Sequence, residues 1–212
     1  MGLGVETDDL LDQFGVTFGV VGPASLGEQT QKFVHRNIGS PRPEGWDAQL
    51  HNEPGLVLSW KRTYRDVYVA RLLGQELDLA VHHGVTLGNV FTHGRAGFMF
   101  RFGPNLPRDY GPPRIEPAMP SASDFYSATG FRWYLFAGIE GRAVARNIFL
   151  DGHSFRDSVS VKKRHLVGDF QAGLVMDWDN WRFSYTHVAR SREFRTQDES
   201  DVFGAFALMR RF

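Results

Sequence analysis

At 212 residues the chain can bury a sizeable core as one large domain or one barrel. Its formal net charge of zero speaks against nucleic acid as a partner, and the lack of cysteine excludes disulfides and thiolate metal sites. No apolar run reaches the roughly 18 residues a membrane helix needs, and the high counts of Phe (18) and Gly (23) lean toward β-structure with close backbone approaches.

The opening stretch, MGLGVETDDLLDQ, lacks the basic segment and apolar core of a signal peptide. Read as a true start, it leaves the protein in the cytoplasm. Alternation with period two then begins. In QFGVTFGV, Phe14, Val16, Phe18 and Val20 share one face, and Gln13, Gly15, Thr17 and Gly19 share the other. Next comes LGEQTQKFVHRNIG, which predicts a short amphipathic helix. Leu26, Thr30, Phe33, Val34 and Ile38 form its stripe, and Ser25 with Glu28 has capping-box spacing. Gly39 ends the helix, and Pro41 and Pro43 prevent its return. His35 stands beside the apolar stripe. Glu44, Asp47 and Glu53 read as solvated rim charges, and Trp46 as an anchor.

Strand patterns resume at Leu56, Leu58, Trp60 and Tyr64, with Arg62 as the exception on that face. In ELDLAVHHGVTLG, His82 and His83 fall on opposite faces, so they do not chelate one metal; the first reads as inward and the second as outward. Ala96, Phe98, Phe100 and Phe102 oppose Arg95 and Arg101. Further on, Phe131, Trp133, Leu135 and Ile139 oppose Arg132, Glu140 and Arg142, and residues 141–152 read as a strand running on above the membrane. The stretch from Leu166 to Trp178 and the one from Trp181 to Thr186 flank a tight Asp179-Asn180 turn. DVFGAFALMRRF closes the chain.

That makes about eight strands of roughly 9–14 residues, long enough for tilted strands to cross a bilayer. Alternation does not say which face is inside. Aromatic residues at strand ends (Trp60, Tyr64, Trp133, Trp178, Trp181, Tyr185), the tight hairpin and the terminal Phe212 favour an all-β, antiparallel transmembrane β-barrel with a short extracellular helix. With a periplasmic C-terminus, residues 21–54, 89–92, 145–165 and 191–201 lie outside the cell. Residues 65–75, 104–130 and the Asp179 turn then lie in the periplasm, and 104–130 is long for such a turn. Two other readings stay open. One is a porin-like or structural barrel whose lumen charges Arg95, Arg101, Arg132 and Glu140 form a channel; the other is a soluble barrel that binds a lipid inside.

At GVVGPASLGEQTQKFVHRNIGSPRPEGWDAQLHNE the chain resembles the lipid A 3-O-deacylase family, the LpxR type. The shared motifs are G-V-x-G-P, then G-x-x-x-Q-x-x-x-H-R-x-I-G, then W-x-x-Q-x-x-N. GNVFTHGRAGFMFRFG, YLFAGIEGRAVARNIFLDG and REFRTQDESDVFGAFALMRRF also look like that family, so the resemblance covers nearly the whole chain. It implies a twelve-stranded monomeric barrel in the bacterial outer membrane that hydrolyses the ester of the 3-linked acyloxyacyl chain of lipid A, with calcium. The family's catalytic histidine maps onto His35, as general base. Its calcium-ligand glutamate maps onto Pro41, so Glu44, three residues on, is the substitute ligand to expect. The motifs assign no substrate-binding residue. QFGVTFGV matches about the fifth family strand, and GLGVETDD the end of the fourth with its turn. The expectation is therefore one barrel domain over 1–212 without the family's first strands and their Asn-Asp pair, Met1 being internal. A catalytically degenerate barrel is the alternative that Pro41 suggests.

Overall fold

The computed structural model describes residues 1–112 and 130–211; residues 113–129, within the long connection, and the terminal Phe212 lie outside the described residues. Nine strands form one antiparallel sheet in chain order: β1 (Gly2–Thr7), β2 (Leu10–Val21), β3 (Glu53–Leu72), β4 (Gln75–Gly88), β5 (Phe91–Gly103), β6 (Phe131–Asn147), β7 (Leu166–Trp178), β8 (Trp181–Arg190) and β9 (Asp201–Arg210). Every strand pairs with its sequence neighbour, as an up-and-down sheet does. Eight of the nine were expected, and β1 is the GLGVET strand end that precedes the Asp8-Asp9 turn.

Burial settles which face is inside. Gln13, Thr63, Asp78, His82, Thr86, Arg101, Glu140, Gln171, Asp177 and Arg182 are buried, while Phe14, Phe18, Leu58, Phe98, Ile139 and Phe170 are exposed. The sheet thus buries its polar face and exposes its apolar one, the inverse of a water-soluble sandwich. An exposed apolar face this extensive needs lipid as its solvent. Arg62, the polar exception, faces outward opposite Asp12 on β2 and pairs with it at 2.7 Å, which neutralises both.

The two ends of the sheet differ. One end carries the short turns at Asp8-Asp9, Leu73-Gly74 and Asp179-Asn180, with Trp178 and Trp181 beside the last. The other carries helix α1 (Gly27–Ile38), helix α2 (Ile148–Asp151) and the connection between β8 and β9. Three expectations need correction. Residues 65–75 are not all turn: β3 runs on to Leu72 past an irregularity between Tyr64 and Tyr68, where Asp66 takes a positive φ of 55° and the chain bulges. Residues 141–152 are not all strand. After Asn147 the chain turns into α2, because the Asn147 side chain caps Phe149 N while Asp151 accepts from Asn147 N. Ser25 does not cap α1. Leu26 is the N-cap in the left-handed region, Ser25 Oγ donates back to Gly22 O, and Glu28 pairs with Lys32 instead.

The described part of the long connection is a plug rather than a solvent loop. Asp109 accepts from Arg101 and pairs with Arg182 at 2.6 Å, Tyr110 lies under Arg65, and Leu106 N donates to Glu76 at 2.7 Å. Leu106 also covers an inner cluster of Met99, Tyr134, Phe136 and Val175. Arg101 and Arg182 are 1% and 0% exposed, and each is held by two carboxylates. Removing an ion from water costs several kcal/mol, so paired, hydrogen-bonded placement is what permits such burial.

Candidate functional site

The connection between β2 and β3 is shaped by its glycines, prolines and one asparagine. Gly22 has φ 103°, and a Cβ there would lie 2.6 Å from the His51 backbone, so the two ends of the loop can cross at no other residue type. Pro23 then opens a 3-10 turn, and Asn52 Oδ1 accepts from Ala24 N at 2.8 Å, closing the neck. Trp46 lies over Gly27, whose missing side chain makes room for the indole. Most of the shared motif residues therefore build the loop. His35 is left as the motif side chain with acid–base chemistry.

His35 sits in the last turn of α1 and is half-buried. Gly39 caps the helix in the left-handed region at φ 69°, and Gly39 N and Ser40 N both return to the His35 carbonyl. That reversal brings the Pro41 carbonyl under the imidazole, 2.7 Å from Nδ1. A carbonyl can only accept, so Nδ1 carries a proton, and in the neutral ring Nε2 keeps its lone pair. The stripe beside it stays uncovered: Phe33 is 65% and Ile38 67% exposed, and no residue of α1 is buried.

The other expected residues are not gathered around His35. Glu44 and Asp47 are exposed, and among the described residues no hydrogen bond or ion pair joins Glu44 to His35. Pro41 offers a carbonyl that His35 already uses, and no group of three or more His, Asp or Glu converges on one point among the described residues. A calcium ion takes six to eight oxygens, so the described residues do not fit a calcium shell by themselves. The remaining expectations hold for the two neighbouring histidines. His82 points inward and bonds Glu140 at 2.9 Å, and His83 packs outward between Trp60 and Tyr64.

Glu53 was expected to be a solvated rim charge, and it is not. It is 4% exposed, above the outward apolar band that begins at Leu56. Its carboxylate meets His153 Nδ1 at 3.0 Å, accepts from Ser154 N and from Asn89 Nδ2, and His153 Nε2 accepts from His51 N. Burial pushes this carboxyl up, but the hydrogen bonds of Ser154, His153 and Asn89 outweigh it and hold it at about 2. The clasp ties the loop that carries His35 to the segment after α2. Sequence reading missed it because Glu53 and His153 stand 100 residues apart, and neither lies in a local pattern.

A model of the family described as outer membrane protein LpxR matches residues 1–212. Among solved structures, LpxR from Salmonella typhimurium superposes with a TM-score of 0.82 at 21% identity, over 100% of this chain and 72% of that one. No curated protein matches the chain significantly.

Proposed function

The chain belongs to the LpxR family of outer membrane proteins, and we propose that it hydrolyses the 3-linked acyloxyacyl ester of lipid A, with His35 as general base. The observation that carries the reading is the bond from His35 Nδ1 to the Pro41 carbonyl, which leaves Nε2 free on an exposed helix beside an apolar stripe. With the short-turn end in the periplasm, α1 stands at the outer surface, where an acyl chain can lie along Phe33, Val34 and Ile38 while its ester meets His35.

In this reading Nε2 takes a proton from water as the oxygen attacks the ester carbonyl. The tetrahedral intermediate then expels the sugar-side oxygen, which recovers the proton from the imidazolium, and the acyl chain leaves as a carboxylic acid. Calcium, implied by the family, would polarise the ester carbonyl, with Glu44 as its proposed ligand from this loop. The described residues do not by themselves complete its shell.

The same Pro41 supports the rival reading, a barrel that keeps the fold without the chemistry. A conducting channel is less well supported, since Arg101, Arg132 and Glu140 are engaged in ion pairs and the plug crosses the inner face. Mass spectrometry of lipid A incubated with the purified protein in detergent separates these readings. Loss of the 3-linked acyloxyacyl mass, and of no other chain, is the expected result. Intact lipid A at every calcium concentration would leave the silent barrel standing.

A further inference from the structure

Four strands along the sheet from the β3 end of the His35 loop, a second part of the rim concentrates positive charge. Lys162, Lys163, Arg164 and His165 lead into β7 and run beside the β8–β9 connection. Lys163 and Phe194 form a β-bridge, Arg164 N donates to Glu193 O at 2.7 Å, and Arg195 N donates to Lys162 O at 2.9 Å. These contacts bring Arg195 to the same cleft, of about 400 Å³ on one side and about 550 Å³ on the other. Asp151 is the carboxylate that lines it, and Lys163 already holds that group. Lys162, Arg164 and Arg195 are exposed, and no ion pair engages them among the described residues. In a chain of zero net charge, cations held this close repel one another and call for an anion from outside.

What lies directly below says which kind of anion. Leu166 lines the cleft, is 77% exposed and points outward. It also borders a hollow of about 670 Å³ on the apolar wall, lined by Gly94, Ala96, Gly141, Ala143 and Gly168. Register sets Ala96 opposite Gly141 and Gly141 opposite Gly168, with Phe98, Ile139 and Phe170 as the row beneath. Packing does not demand these glycines. A Cβ at Gly94 meets nothing within 4 Å, and at Gly141 and Gly168 the nearest atom is 4.0 Å away. On the inner face, by contrast, a Cβ at Gly97 or Gly84 would strike backbone at 2.4 Å. The wall is recessed where a chain can lie, next to a cleft that wants an anion.

We propose that this cleft and recess bind a membrane lipid whose head group is an anionic phosphate monoester. Its phosphate sits among Lys162, Arg164, His165 and Arg195, and an acyl chain occupies the recess below Leu166. The site is separate from His35 and does not depend on the deacylase reading.

The test is native mass spectrometry of the full chain in detergent, titrated with phosphatidic acid, with phosphatidylcholine of the same acyl chains, and with inorganic phosphate. Phosphatidic acid is expected to bind in preference to phosphatidylcholine, and inorganic phosphate is expected not to displace it. The double variant Lys162→Gln, Arg164→Gln weakens binding roughly thirty-fold, at about a factor of five for each surface cation. Gly141→Leu fills the recess without touching charge or fold and weakens it too. His35→Ala binds as the native chain does, which keeps this result apart from the enzymatic one. Equal binding of phosphatidylcholine, an unaffected double variant, or complete displacement by inorganic phosphate would each overturn the proposal.

Discussion

Arg101 and His35 show how differently the two ends of this sheet are made. Arg101 is 1% exposed, gripped by Asp78 and Asp109, and stacked near Tyr134 within a plug that ties β3, β4, β5 and β8 together. His35 has one fixed bond, to a backbone carbonyl, on a helix with no buried residue. Paired, buried charge is concentrated at the short-turn end, and uncovered groups at the other. In the proposed reaction His35 has to meet a membrane lipid, which requires that it remain uncovered. The Glu53–His153 clasp is the exception at the rim, a buried brace that holds the β2–β3 loop by its neck.

The contrast is sharpest where it can be broken. Arg101→Met strands Asp78 in the interior, leaves Asp109 to Arg182 alone, and is expected to cost about 3–5 kcal/mol, seen as a lower unfolding midpoint in urea. An unchanged midpoint would mean that the plug does not brace the barrel. At the rim, Gly39→Ala puts a Cβ at φ 69° and is expected to cost roughly 1–2 kcal/mol locally. It also moves Pro41 away from His35, so activity should fall further than the global midpoint does. Proteolysis within 39–45 alongside the melt separates the two effects.

The clasp has its own signature in pH. Glu53 is held below its ordinary value of 4.5, at about 2. A depressed carboxyl contributes stability that is complete above the unfolded value and is lost as pH falls through the folded one. Protection of the His153 and Ser154 amides, relative to their intrinsic exchange rates at each pH, should therefore fall between about pH 4.5 and pH 2, and Glu53→Gln should remove that step. Protection that stays constant over this range contradicts the brace. The smallest effect is expected for Phe33→Ser. At 65% exposure the change should stay within about 0.5 kcal/mol of stability while weakening lipid A turnover.

Much of the fold was legible because period two survives in the sequence: Phe14, Val16 and Phe18 against Gln13 and Gly15 is a pattern no helix produces. The helix and its Gly39 stop were legible for the same local reason. Its start was not, since Leu26 adopts a left-handed conformation that its residue type does not announce. The inner side of the sheet was read from strand-end aromatics, the tight Asp179-Asn180 hairpin and the terminal Phe212; Trp60 and Tyr64 lie mid-strand in β3, and the burial of Arg101 and Arg182 bears the reading out. Asp109 was missed because a Pro-rich connection looks like a surface loop, and only its partners on β5 and β8 reveal a plug. His35 was named through its motif, whereas its bond to Pro41 depends on a chain reversal that spacing does not display.

The most direct measurement compares His35→Ala with the native chain in two readouts at once, hydrolysis of lipid A and the unfolding midpoint. The account predicts a loss of hydrolysis of about a hundred-fold or more with the midpoint unchanged, because the side chain does chemistry and supports little structure. Hydrolysis that persists in His35→Ala, with an intact barrel, would contradict it.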